Sequence, residues 1–233
     1  MVTFPNKGKI ERLELKNEKY AINTFGKEVV VIVLSGGFVI ENSLLSRFNV
    51  FTENVQGFYA ANDGIYEMDI PDEAEICLIE AMSDVSVPMS FLNTRDFDVR
   101  SAGEDNYHRK VVTVVNNKNG LKNLIIGETF KKSGNWSSWP PHKHDRFVKN
   151  QESKQEEIYI YKFKEPSGFG IQLLYEQNIE DAAAHIVTNN QEIKIEKGYH
   201  PVVASPSSNM YYLWALFGDN SFFKTFDDQR FAK

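Results

Sequence analysis

Residues 134–157 read GNWSSWPPHKHDRFVKNQESKQEE, and the apolar run EIYIYKF starts at Glu157. His142 and His144 are one residue apart in this stretch. Alternate residues of a β-strand project from one face, so the two imidazoles can converge. Neutral imidazole ligates first-row divalent metals, and two of them make half a metal site. Pro140-Pro141 stiffens the approach by fixing backbone φ. The chain has 5 His, and none precedes His108.

The other half of the site has two good candidates, Glu157 and His200. With Glu157 facing inward, Tyr159, Tyr161 and Phe163 share its face. With Glu156 inward, Ile158, Ile160 and Lys162 share it, and burying Lys162 would be costly. Glu157 is therefore the choice. His200 lies in KGYHP, where Gly198 permits a sharp turn and Pro201 opens the next strand without a backbone donor. Three nitrogens and a carboxylate oxygen would hold one divalent ion and leave positions open for substrate or water. Lys143, between the two histidines, is expected to point out to solvent. His185 reads as a strand residue without a ligand role, and His108 as a surface residue at a junction.

Working outward, the 233 residues permit one large β domain or two small ones. Hydrophobic residues make up 42% and aromatics 13%, enough for a packed core and favourable to strands. The net charge of −6, with both signs interspersed, gives no electrostatic case for nucleic acid. The single cysteine, Cys77, excludes an internal disulfide framework and reads as a small core residue. The N-terminal stretch has no apolar signal region, and no apolar run is long enough to cross a bilayer. The expectation is a soluble, cytoplasmic protein.

Short strand signals recur along the chain. IERLEL alternates. KEVVVIVLSGGFVI looks like a hairpin turned at Ser35-Gly36-Gly37. Further strands are expected at 47–51, 57–60, 65–70 and 74–81, with turns at Asn62-Asp63-Gly64 and Pro71-Asp72. Residues 83–107, ending in SAGEDNYH, form the expected junction. Strands resume at 111–115 and 124–130. EIYIYKF and FGIQLLY are expected as a hairpin joined at 164–168. Strands at 185–187, 192–195, 201–204 and 210–217 follow, and 219–233 is a polar, aromatic tail. No helical period is sustained, so the fold class is all-β. The expected units are 1–105, without metal ligands, and 106–233, with the metal site. The first unit serves packing, oligomerisation or shaping of the mouth of the second.

His-x-His, then Glu, then a distant His resembles the metal signature of cupins. More narrowly, GNWSSWPPHKHD, EEIYIYKF, GFGIQLLY and GYHPVVASPSSNMYYLWALFGD resemble the 5-deoxy-glucuronate isomerase family of bacterial myo-inositol catabolism. Weaker matches continue upstream in LSGGFVI, RFNVF, AEICLIEA and VRSAGEDNYHRKVVTVV. The resemblance implies a bicupin, two jelly-roll-like β-barrels in one chain, with His142, His144, Glu157 and His200 as metal ligands. It also implies aldose–ketose isomerisation of 5-deoxy-glucuronate to 5-dehydro-2-deoxy-gluconate, a divalent metal serving as Lewis acid toward an enediol. Manganese, iron, nickel and zinc all suit this ligand set. Leu173 follows Gln172 where the resemblance leads to an Arg, and the chain is shorter than typical members.

The base that moves the proton between the two carbons is left open among Glu157, Tyr159, Tyr212 and a metal-bound hydroxide. Arg109 and Arg146 are the candidates for a uronate carboxylate, and Gln172 for a sugar hydroxyl. The partner is thus a small anionic sugar acid, with homo-oligomerisation left open. The charged stretch 145–156 reads as a solvated loop, or as a lid. Two other classes fit the same ligands, an iron-dependent cupin dioxygenase and a non-catalytic sugar-binding bicupin.

Overall fold

The computed structural model describes residues 1–4 and 7–232. Among them there is no α-helix, and four short 3-10 turns interrupt strands throughout. The all-β class expected from the sequence is what forms. The chain divides into two compact units, Met1–Phe97 with Val114–Leu124, and Asp98–Thr113 with Ile125–Lys233. The boundary expected at 105/106 falls inside the second unit, because the polar run around it is the loop between two paired strands.

The first unit has seven strands: β1 (Val2–Phe4), β2 (Gly8–Asn23), β3 (Lys27–Ile40), β4 (Ser43–Arg47), β5 (Gly57–Ala61), β6 (Ile65–Met82) and β7 (Val87–Phe91). They form one sheet in the order β1-β2-β6-β3-β5-β7, with β4 also on β3. The β-branched run Val29–Val33 is wholly buried, as its composition demands. IERLEL belongs to β2, far longer than the short strand expected.

Two expected turns are instead bulges inside long strands. β3 runs unbroken through Ser35-Gly36-Gly37, and its true hairpin turn is Glu41-Asn42, both at positive φ. Gly36 has φ +72°, and a Cβ there would strike the Glu73 carbonyl, so glycine is required by the close approach. β6 likewise runs through Pro71-Asp72. Its pairing with both neighbours is irregular there, so the donor that proline lacks is not needed. The strand expected at 47–51 stops at Arg47, which is buried. Its guanidinium donates to the carbonyls of Val33, Val50 and Glu53 and so holds the loop that follows. The segment 114–124 is tied in by Glu28, fully buried, whose carboxylate accepts from Ser83 Oγ and from the N–H groups of Lys122 and Asn123.

The second unit opens with β8 (Asp98–Ala102), β9 (Arg109–Val115), β10 (Leu124–Lys131), β11 (Trp136–Ser137), β12 (His142–Lys143), β13 (Asp145–Val148) and β14 (Glu152–Lys154). It continues with β15 (Glu156–Phe163), β16 (Gly170–Leu174), β17 (Ala183–Val187), β18 (Glu192–Ile195), β19 (Val202–Ala204), β20 (Met210–Phe217) and β21 (Phe226–Asp227). A six-stranded sheet, β18-β15-β20-β10-β9-β8, faces a four-stranded one, β11-β19-β16-β17. Tyr159, Tyr161, Phe163, Tyr212, Trp214 and Leu216 from the first sheet pack with Val187, Val202 and Ala204 from the second. The expected hairpin of EIYIYKF with FGIQLLY does not form. β15 and β16 lie in different sheets, and 164–169 carries the chain across. Gly127 is needed beside this core, because a Cβ there would meet the Trp214 ring; the indole N–H donates to Thr129 Oγ1 at 3.1 Å.

Candidate metal centre and its cavity

A cavity of about 420 Å³ opens in the second unit, and its walls carry His142, His144, Glu157, Tyr159 and Tyr212. Strand geometry delivers these groups. β12 ends at Lys143, so His142 and His144 face the cavity together. β15 puts Glu157 and Tyr159 on one face, and β20 sets Tyr212 opposite Tyr161. The turn at Gly198, φ +85°, brings His200 in from a distant part of the chain.

His144, Glu157 and His200 are all buried, and their ligand atoms lie within 4.8 Å of one another. Glu157 Oε2 is 3.3 Å from His144 Nε2 and 3.4 Å from His200 Nε2. Each imidazole is oriented from behind. His144 Nδ1 lies 3.0 Å from the Gln155 carbonyl, and His200 Nδ1 3.0 Å from the Gly198 carbonyl. A carbonyl only accepts, so each Nδ1 carries the proton; His200 Nε2 keeps its lone pair, and His144 Nε2 lies within hydrogen-bond distance of Glu157, donating to it when the ring is protonated and presenting a lone pair when it is neutral. His200 Nε2 is buried without a hydrogen-bond partner. An orphaned, aimed imidazole nitrogen beside a carboxylate and a second imidazole is a donor set suited to a divalent cation. His142 stands outside that tight group, half-buried, with ring centroids 4.9 Å from His200 and 6.5 Å from His144.

Electrostatics separate the three rings. Burial pulls His200 down to about 4, against the opposing pull of Glu157. Burial, and then the neighbouring imidazoles, hold His142 well below the ordinary histidine range. Burial acts on His144 too, but the hydrogen bond and charge of Glu157 outweigh it and raise the group. Burial pushes the Tyr159 and Tyr212 phenols up, so both are neutral donors. Their hydroxyls meet Ser138 Oγ at 3.2 Å and Ser137 Oγ at 2.5 Å.

The predicted substrate residues divide. Arg109 lines the cavity, and its Nη1 donates to the Tyr107 carbonyl at 3.0 Å. Arg146 does not line it; its side chain is 76% exposed and reaches only Asp145. Gln172 is wholly buried away from the cavity. Its amide donates to the carbonyls of Leu173, His200 and Pro201 and accepts from Tyr161 Oη, so no valence is left for a sugar. Lys143 is not solvated as expected but buried, because Asp145 and Glu152 supply carboxylates to its ammonium at 2.8 Å each. The charged stretch 145–156 is a hairpin of β13 and β14, and residues 145–156 do not reach the cavity wall. His108 is exposed, and His185 lies in β17 as a strand residue, its side chain also exposed.

Sequence reasoning missed Arg100, Ser137, Ser138, Phe223, Lys224 and Asp227, all on the cavity wall. Arg100 follows from strand pairing, since β8 sits beside β9. The tail residues come in through β21, two residues paired with β12 so that Asp227 faces His142. A two-residue strand has no periodicity to read.

A model of the KduI/IolB family matches residues 8–233. A 5-deoxy-glucuronate isomerase of Halalkalibacterium halodurans is 28% identical over 217 residues, covering 90% of this chain and 80% of that one. The crystal structure of an IolB-like protein from Salmonella typhimurium LT2 superposes with TM-score 0.89 at 22% identity, over 97% of this chain and 89% of that one. A cupin 2 conserved barrel domain protein from Leptotrichia buccalis superposes with TM-score 0.55 at 14% identity, over 93% and 86% of the two chains, which shows a cupin-like fold. With nearly its whole length matched by the family model, the chain belongs to the KduI/IolB family.

Proposed function

We propose that this chain is a metal-dependent aldose–ketose isomerase of myo-inositol catabolism that converts 5-deoxy-glucuronate to 5-dehydro-2-deoxy-gluconate in the cytoplasm. The observation that carries the reading is the buried His144–Glu157–His200 cluster beside a cavity whose wall also carries the guanidinium groups of Arg100 and Arg109. His142, His144, Glu157 and His200 would hold the cation, which when bound supplies Lewis acidity to the substrate's carbonyl and adjacent hydroxyl.

The chain's own groups do the rest. Arg109, with Arg100 on the neighbouring strand, receives the substrate carboxylate as a charge-assisted pair. Tyr159 and Tyr212, kept protonated by burial, donate to oxygens whose charge grows as the α proton leaves. Ser138 and Ser137 fix the direction of those two hydroxyls. Trp139 and Phe223 supply apolar wall that limits water. The migrating proton is held by a cavity carboxylate, of which there are two, Glu157 and Asp227.

The test joins metal analysis to turnover. The protein as purified should contain one divalent ion per chain, lose isomerase activity on chelation and regain it on metal return; His142→Ala should lose most of both. Full activity in chelated protein would refute the metal role, and absence of uronate turnover in loaded protein would refute the reaction. Glu157→Gln should lose metal with activity, whereas Asp227→Asn should keep the metal and lose activity only if Asp227 holds the proton.

A further inference from the structure

We infer that Lys143 is a positioning residue: with Asp145 and Glu152 it forms a buried ionic clamp, on the face of the strand opposite the cavity, that sets the geometry of the metal centre. The inference rests on the metal-centre reading above. It starts from an oddity. Lys143 lies between two cavity histidines yet is only 8% exposed, and Glu152 only 3%. Charges so buried are held against a desolvation cost, which calls for compensation.

The hydrogen bonds supply it. Lys143 Nζ donates to Asp145 Oδ1 at 2.8 Å and to both Glu152 oxygens at 2.8 and 2.9 Å. Glu152 Oε1 also accepts from the backbone N–H groups of Asp145 and Arg146 at 2.9 and 3.0 Å. The residues just after His144 are therefore pinned. Asp145 has a second oxygen, and Oδ2 accepts from the Gly198 N–H at 2.7 Å. The Gly198 carbonyl is the acceptor that orients His200. Three hydrogen bonds thus run from the Lys143 ammonium to the His200 imidazole, 57 positions along the chain.

One cation consequently fixes both the His-x-His segment and the distant histidine. The Phe226 ring, 5.7 Å from the ammonium, covers the clamp from β21. None of the three clamp residues touches the cavity wall. Their effect on the centre is exerted entirely through the backbone at 144–146 and at the Gly198 turn.

The experiment titrates Co²⁺ into metal-free wild type, Lys143→Met, Asp145→Ala and Lys143→Arg, reading the visible Co²⁺ spectrum, with thermal unfolding of each protein beside it. Residues that orient ligands typically change metal affinity by about 10- to 100-fold. Lys143→Met and Asp145→Ala should weaken Co²⁺ by that factor while remaining folded, and their visible bands should shift as His200 loses its orientation. Lys143→Arg keeps the cation and should recover most of the affinity. Unchanged affinity and bands in the two folded variants would overturn the inference. So would an affinity that falls only with the folded fraction, or loss of fold in both variants, since either leaves a purely structural role. If wild type itself fails to bind Co²⁺, the metal-centre reading fails first, and that result is distinct.

Discussion

Arg109→Met isolates the recognition of the substrate's charge. Arg109 lies on β9 opposite Ala102 of β8, on the cavity wall, and among the described residues no carboxylate pairs with it. Burial, and then the nearness of Arg100, lower its pKa, and the Tyr107 carbonyl that accepts from Nη1 carries no formal charge to neutralise it. Under the proposed function, a uronate carboxylate would supply a charged partner. A hydrogen bond to a charged group contributes about 1.5–3 kcal/mol, and each 1.4 kcal/mol is about tenfold. Arg109→Met should therefore lower kcat/KM on 5-deoxy-glucuronate by roughly 10- to 100-fold. The informative control is the substrate's uncharged amide. Wild type should lose rate on the amide, and the gap between wild type and variant should close there, as a double-mutant cycle between a charge and its partner requires. An equal loss on acid and amide would mean that Arg109 shapes the cavity and does not read charge.

Two further outcomes follow from the same geometry. In metal-free protein, folded His200 resists protonation until about pH 4, while the unfolded chain's histidine takes its proton near 6.5. The stability it contributes is complete above 6.5 and is lost as pH falls from 6.5 to about 4, at up to about 1.4 kcal/mol per pH unit. Urea unfolding should then show the wild-type advantage over His200→Gln shrinking by about 3 kcal/mol between pH 7 and 4; a constant gap would contradict the buried neutral assignment. Gln172→Leu strands the His200 carbonyl and the Tyr161 hydroxyl, at about 1–3 kcal/mol for each buried group left unsatisfied. Its defect should be a lower urea midpoint, and an unchanged midpoint with a raised KM would return Gln172 to the substrate.

The all-β class and the facing of the candidate ligands were legible because strand alternation is a local rule. It places His142 with His144, and Glu157 with Tyr159, whatever the rest of the chain does. Even so, hydrophobicity alone would not have chosen between Glu156 and Glu157, since Ile158 and Ile160 are as buried as Tyr161. The cost of burying Lys162 decided it. The same rule failed at Lys143, where carboxylates two and nine positions along fold back to solvate the ammonium. Turn chemistry misled at Ser35-Gly36-Gly37 and Pro71-Asp72, because glycine and proline serve a bulge as well as a turn and only the facing strand distinguishes them.

Leu173 is the residue that most tempts a wrong conclusion. Standing where the family resemblance leads to an arginine, it suggests a site that has lost its carboxylate partner. The structure weakens that inference on geometric grounds. Gln172 points inward on β16 and is consumed by the carbonyls around His200, so position 173 belongs to the other face of the strand and does not reach the cavity. An arginine there would have no line to a ligand beside Glu157. Arg100 and Arg109, which do have one, come from the β8–β9 hairpin, whose first strand the sequence presented only as part of a polar junction. Under the proposed function, charge recognition would depend on the pairing of these two strands, and Val99→Pro should test it. That change puts a proline in β8 opposite Val112, fixing φ beside Arg100 and disturbing the strand that carries it without replacing any cavity side chain. Weaker binding of the acid with an unaffected Co²⁺ affinity is the expected outcome; unchanged KM would show that Arg109 recognises the carboxylate without its neighbour.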